Sequence, residues 1–450
     1  MKTVLFLGHS NNDVDHFLPL MVKLEKKDDL KPLLFCIPSR NILLVNKVHQ
    51  LWIKDCSIYT VSANSVILNS IFQNILFTFF SLLESAYIKI ANLAIRANFS
   101  IERNCLIFIR KLFGAIKLTV HILLNHSLNG KDCVHSLEKF FKDNSVACVV
   151  CDSGFISCYE NEQQLVLKIR HIIIRFANAR KIPIVMMNHG VSPKYEEDSS
   201  LSKSINRDKY IQPDVIIFSF EKEVSKKPYI GKNTKILILG DLRLDVHWIR
   251  SLEESAQKLP EYHSISTREK VILYLVCKPA WINDYGLLNS IHADIYNVVK
   301  KIEGLTLWIK LHPRYPFAFP LRNYTGGQVR IFGNEVDTNM LLPKSDIVIS
   351  SYSGVLVHPM LMRRSAIFYD KIRAVTGISI KFIFDDTDCV EKVANPHDLE
   401  KTCRMILKRK SPNFDGLEHF YKKFISGGIG MDQSISGSYE KELLSLMQLQ

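Results

Sequence analysis

Short, continuous runs of apolar and β-branched residues recur along this chain, each separated from the next by a helical stretch, and the series runs twice. The first series has strands at Thr3–Gly8, Lys31–Cys36, Ser145–Cys151, Pro183–Asn188, Asp214–Ser219 and Lys235–Leu239. The second has them at Val271–Cys277, Leu305–Leu311, Val329–Phe332, Asp346–Ser350 and Ala366–Tyr369. Strands apolar on both faces, with helices between them, specify a parallel sheet covered on both sides. A chain of 450 residues exceeds one ordinary core, and two domains of about 200 residues each are the natural expectation. The expected fold is α/β, with two doubly wound, Rossmann-like domains. The first spans residues 1–245, the second 246–415, and a helical tail follows over 416–450. The hinge falls within Asp245–Arg268. Two such domains face each other across a cleft, and ligands bind at the carboxyl ends of the strands.

Charge narrows what occupies that cleft. Lys and Arg number 58 against 45 Asp and Glu, a net charge of +13. That balance favours acidic partners: nucleotides, anionic glycans or an anionic membrane surface. Basic residues are not interleaved with aromatics on one face, so nucleic acid is not an expected partner. The opening MKTVLFLGHSNNDVDHF reads as a buried strand and a polar loop, not as a secretion signal. Val66–Ile95 and Cys105–Leu124 read as amphipathic helices that cover the first sheet or lie on a membrane surface. Ten cysteines scattered through expected strands and helices fit a reducing cytoplasm, with the inner face of the membrane as a second location. Cys148 and Cys151 are spaced CxxC but lack the second pair that a zinc site needs. No GxGxxG follows the first strand and no GxxxxGK[ST] occurs, which counts against dinucleotide oxidoreductases and P-loop enzymes.

The residues that carry chemistry lie just after strands. Lys310, His312, Pro313 and Arg314 gather cations and donors at one strand end, suited to a phosphate or pyrophosphate. Ser350, Ser351, Ser353 and Gly354 form a strand-to-helix turn whose backbone N–H groups can cradle an anion. His189 follows another strand and precedes Gly190, placing a group that titrates near neutrality at the cleft, or else a structural strand-end histidine. Asp152 ends a strand and reads as a nucleophile, a general base or a helix cap. Asp13 and His16, in the polar loop after the first strand, are further candidates for the base, with an N-cap as the simpler role for Asp13. Asp385-Asp386-Thr387-Asp388 offers a DxD-like pattern but reads as a solvated acidic loop, and no metal is expected.

KLHPR followed by SDIVISSYSGVLVHPMLMRRSAIFYD resembles the CDP-glycerol glycerophosphotransferases of teichoic-acid synthesis and related capsule transferases. There an HP motif and an "ITDYSSV…KRPIIFYD"-like stretch bind the donor's phosphates. The HP and serine motifs are also similar to those of bacterial sialyltransferases and the Kdo transferases of capsule linkers, whose donors are CMP-activated. Met187–Lys194 resembles "WHGTPLK" and Leu239–Trp248 resembles "GSPRFDxxW", so the resemblance covers roughly Pro183–Asp370. Ser351 stands where the family has Asp, Gly354 for its second Ser, and Asn188 for its Trp. The resemblance implies a GT-B transferase whose second lobe holds a CMP- or CDP-linked donor, whose first lobe holds a glycan or lipid-linked acceptor, and whose helical tail over 416–450 crosses back to the first lobe. It matches His189 to the catalytic histidine of the glycerophosphotransferases, and Asp152 to a first-domain carboxylate of the retaining Kdo transferases. It implies no cofactor beyond the donor. A UDP-sugar transferase or sugar 2-epimerase of the same fold is the rival reading.

Overall fold

The computed structural model describes residues 1–8, 11–37, 47–56, 58–62, 66, 131–152, 165–187, 190, 212–224, 233–265, 269–277, 285–312, 324, 328–333, 336–377, 381–409 and 414–448. The first sheet contains β1 (Lys2–Gly8), β2 (Leu30–Cys36), β3 (Tyr59–Ser62), β4 (Val146–Asp152), β5 (Ile184–Met187), β6 (Val215–Phe218) and β7 (Lys235–Ile238). The second contains β8 (Lys270–Leu275), β9 (Leu305–Lys310), β10 (Val329–Phe332), β11 (Ile347–Ser350), β12 (Ser365–Tyr369) and β13 (Glu391–Val393). The strand orders are β3-β2-β1-β4-β5-β6-β7 and β10-β9-β8-β11-β12-β13. Every pairing is parallel. These are the two doubly wound α/β domains that continuous apolar strands demand.

The order reverses at β1/β4 in the first sheet and at β8/β11 in the second. At such a point the helices leaving adjacent strands go to opposite faces, and a crevice opens outside the carboxyl ends. The two crevices place the chemistry discussed below.

Three local differences from the sequence reading have physical causes. Between β2 and β4 the described residues hold a helix at Lys47–Asp55 and the edge strand β3, neither expected from the sequence, while the two long helices expected there fall on residues outside the described ones. β3 is half-exposed and short, so it carries no apolar run to announce it. β13 is likewise a three-residue edge strand with only Val393 buried. Helix α1 (Asn11–Glu25) starts earlier than the apolar pattern from Val14 suggests. Asp13 and His16 therefore lie in its first turns, buried, and not in a loop.

Helix Val246–Gln257 leaves the first lobe and buries Val246, Trp248, Ile249, Leu252 and Ala256. It packs on Lys47–Asp55, where Trp52 and Trp248 meet at 5.1 Å, and on Thr338–Leu341 of the second lobe. Each such Ile or Leu contributes about 1.5–3 kcal/mol, so the connection between the lobes is itself core. The last helix, Ile435–Gln448, lies against α1: Lys27 pairs with Glu440 at 2.7 Å and Lys2 Nζ donates to the Met447 carbonyl at 2.9 Å.

Among the described residues no helix is long and apolar enough to cross a membrane. The amphipathic stretches 66–95 and 105–124 lie outside the described residues, apart from Val66.

Candidate functional site

The first crevice, at β1/β4, collects charge. Asp13 and His16 stand three residues apart on α1, hence on one face, at 0% and 2% exposure. Asp152 ends β4, buried, and its carbonyl accepts from Arg170 Nη2 at 2.5 Å. After β7 the chain turns through Gly240 into Asp241 and Arg243. Asp241 caps the short turn Leu242–Leu244, accepting from the Arg243 N–H at 3.0 Å, while its Oδ2 holds Arg243 Nη2 at 3.1 Å. Asp15 approaches the same guanidinium at 3.8 Å, and His16 Nδ1 lies 4.0 Å from Asp241 Oδ1.

Gly190, just beyond β5, closes the cluster. Its φ is +98°, and a Cβ there would stand 2.0 Å from Arg243 Nη2 and 2.7 Å from His16 Cε1. Only glycine lets the backbone come this close.

The electrostatics follow from that geometry. Burial, reinforced by Arg243, pushes the His16 imidazole down to about 4, against the pull of Asp241, Asp152 and Asp15. His16 is therefore neutral at pH 7. Burial opposes the charge of Arg243, yet Asp241, Asp15 and Asp152 hold it above the ordinary arginine range. The second lobe reaches this cluster through helix Val357–Leu361, which packs on Leu242–Leu244. Its His358 is pushed down by burial, with Asp15 pulling it up and Arg243 down.

The second crevice, at β8/β11, is formed by the serine turn. Ser353 caps the turn Gly354–Leu356, its Oγ accepting from the Val355 N–H at 3.3 Å, and helix Val357–Leu361 continues from there. Tyr352 before it sits at φ +55°. A bulky residue in the left-handed region is strained, and such strain persists where its surroundings over-determine it. His312 is half-buried just past β9.

Three of the expected phosphate ligands have other work. The Ser350 hydroxyl donates to the Leu275 carbonyl at 2.9 Å and the Ser351 hydroxyl to the Tyr369 carbonyl at 2.7 Å, both fully buried. They lace β11 to its neighbours where the ladder runs out. Lys310, 5% exposed, donates to the Gly333 carbonyl at 2.7 Å and ties β9 to the loop after β10. All three side chains are thus spent within the sheet layer, on carbonyls of neighbouring strands or of the loop after β10. His189, Pro313 and Arg314 lie outside the described residues.

Arg243, Asp241, Asp15 and His358 were not picked out from the sequence. The "GDLRLD" segment was the available signal for the first two, but nothing local shows that its arginine meets α1.

Cys148 and Cys151 point to opposite faces of β4 and join different cores, so they cannot share a metal or a disulfide. The carboxylates of Asp385 and Asp386 are held by Arg373 and by Lys381 and Lys423. Among the described residues no group of three or more His, Cys, Asp or Glu is placed to hold a metal ion.

Comparisons with known proteins agree with the fold in outline. Residues 161–372 match the family of CDP-Glycerol:Poly(glycerophosphate) glycerophosphotransferases. No curated protein matches the chain. Among solved structures, UDP-GlcNAc 2-epimerase from Neisseria meningitidis, bound to UDP-GlcNAc, is similar at a TM-score of 0.53 and 13% identity, with 99% of this chain and 100% of that one covered. The UDP-GlcNAc 2-epimerase from Methanocaldococcus jannaschii is similar at 0.54 and 12% identity, with 99% of each covered. At these identities the likeness is one of fold, the two-domain GT-B arrangement. The family match over residues 161–372 supports a transferase.

Proposed function

We propose that the chain transfers a glycosyl group from a cytidine-activated donor of the Kdo or sialic-acid kind to a hydroxyl of a surface polysaccharide or lipid-linked glycan. One observation carries this choice: Asp13, Asp15, Asp152 and Asp241 gather at the β1/β4 crevice around the guanidinium of Arg243, with Arg170 as the second cation there. A site richer in carboxylate than in cation stabilises the positive charge that develops on a sugar ring as its bond to phosphate breaks. The same site repels a phosphoryl group.

In this reading the donor lies in the second lobe, its phosphate at the Ser353–Gly354 turn and His312. The acceptor hydroxyl enters the first crevice. Its oxygen bonds to the anomeric carbon, the bond to phosphate breaks, and CMP leaves. The hydroxyl proton passes to Asp152, which ends β4 at the same crevice.

A second reading, transfer of a polyol phosphate from a CDP-polyol, is favoured by the family match over residues 161–372. Both readings release CMP, so the acceptor decides. The chain is incubated with CMP-Kdo, CMP-sialic acid, CDP-glycerol or UDP-GlcNAc and a glycan acceptor. Released nucleotide and acceptor mass are then measured. The expected product carries an added sugar and no phosphorus. Added glycerophosphate selects the second reading. Epimerised UDP-GlcNAc without transfer selects the rival of the same fold, and no turnover of any donor rejects all three. We also expect activity to survive excess EDTA, and loss on chelation with rescue by magnesium would refute the metal-free route.

A further inference from the structure

Asp370 follows β12 at the carboxyl edge of the second sheet, beside the β8/β11 crevice. It is 6% exposed, and its carboxylate is fixed from one side only. Arg373 Nε donates to Oδ2 at 2.6 Å, and Arg373 Nη2 approaches the same oxygen at 2.5 Å. The guanidinium is itself clamped by Asp385, whose two oxygens take Nη1 at 2.8 Å and Nη2 at 3.0 Å. Asp385 Oδ2 also accepts from the Phe382 N–H at 2.9 Å. Oδ1 is buried and has no hydrogen-bond partner among the described residues.

Buried carboxylate oxygens without partners are rare, because the desolvation they suffer goes uncompensated. Where one persists at the ligand edge of a sheet, it is an acceptor held ready for a donor. The groups around it narrow what that donor is. Tyr352, from the β11 turn, has its hydroxyl raised by burial and lies within reach of the charges of Asp370, Arg373 and Asp385 and of Cys277, just past β8. The acceptor thus stands among the ends of β8, β11 and β12, next to the turn assigned to the donor phosphate. A carboxylate repels phosphate, so its complement is the neutral part of a nucleotide.

We infer that Asp370 reads the nucleoside of the donor, accepting through Oδ1 a hydrogen bond from a ribose hydroxyl or from the exocyclic amine of cytosine. The inference rests on the second lobe holding the donor. Asp370 is then a binding residue, and Arg373 and Asp385 position it.

Calorimetry on the full chain with CMP, UMP and 2′-deoxy-CMP tests this. Asp370→Asn is the informative variant. Arg373 requires an oxygen at the Oδ2 position, so the amide nitrogen must take the place of Oδ1, setting donor against donor. The variant should bind CMP at least tenfold more weakly than the wild type. If the ribose is read, UMP weakens equally; if the cytosine amine is read, only CMP weakens. Wild-type preferences give a second measurement that needs no variant: weaker binding of 2′-deoxy-CMP for the ribose, or of UMP for the amine.

Unchanged affinity in Asp370→Asn overturns the inference, while leaving the proposed function standing. A wild type that binds no nucleotide removes the donor-lobe reading and this inference with it.

Discussion

Arg243 shows how much a single side chain can gather. Its guanidinium is gripped by Asp241, approached by Asp15 and roofed by the backbone at Gly190. A methyl group at 190 would have to displace either that guanidinium or the His16 ring, on a backbone whose φ of +98° already disfavours a side chain. Gly190→Ala should therefore lower turnover at least about tenfold, equivalent to ~1.4 kcal/mol of barrier, while a thermal melt still shows a cooperative fold. Wild-type turnover would mean that the close approach has no part in the chemistry. Asp152→Asn separates the lobes' roles. Losing a general base costs at least about two orders of magnitude in turnover. CMP affinity, read by calorimetry, should stay within twofold, because the donor binds on the other lobe. A variant that loses CMP binding instead would move Asp152 out of the acceptor side.

At the scale of elements, the loop that carries Asp241 and Arg243 is held from behind by the C-terminal segment. The Asp241 N–H donates to the Ile425 carbonyl at 2.7 Å, and the Tyr439 hydroxyl donates to the Gly240 carbonyl at 2.7 Å. Ser434 Oγ and the Ser436 N–H both reach Asp245 Oδ2, at 3.1 and 3.0 Å. Gly240 sits at φ +95°, and a Cβ there would come within 2.7 Å of the Ile425 carbonyl, a backbone atom that cannot swing aside. The two contacts differ in kind, and so should their variants. Tyr439→Phe removes one hydrogen bond and should cost about 0.5–1.5 kcal/mol in urea titrations, with activity mostly retained. Gly240→Ala forces strands of backbone apart and should destabilise more than Tyr439→Phe and lower activity with it. The reverse order would show that the segment does not brace the loop.

For the whole molecule, buried histidines set how stability depends on pH. Burial pushes His16 down to about 4 and His292 down to about 3. In the unfolded chain both titrate near the ordinary value of about 6.5. Below that pH the unfolded state binds protons that the folded state refuses, so stability is complete above about pH 6.5 and falls as the pH drops towards 4. Each histidine contributes a slope of about 1.4 kcal/mol per pH unit within that window. His358, also lowered by burial, acts in the same direction. Urea unfolding at pH 7, 6 and 5 should show the decline, and His292→Gln should flatten it. An unchanged slope would mean that His292 is charged in the folded state.

The sequence by itself determined the two parallel sheets, because a strand covered on both faces must be apolar throughout and such runs stand out against helical periodicity. It also placed His16, Asp13 and Asp152 near a ligand edge, since strand ends in doubly wound domains point there. The edge strands β3 and β13 left no comparable trace, being short and half-exposed. Only the tertiary structure decided which polar side chains face the cleft. Ser350, Ser351 and Lys310 satisfy carbonyls of neighbouring strands and loops, and that choice depends on which chain segments lie alongside, not on residue type. It also decided that Arg243 meets α1 and Gly190, and that Asp370 is pinned on one oxygen alone. Those contacts join residues far apart in the chain, through strand order and close approach, and a linear pattern records neither.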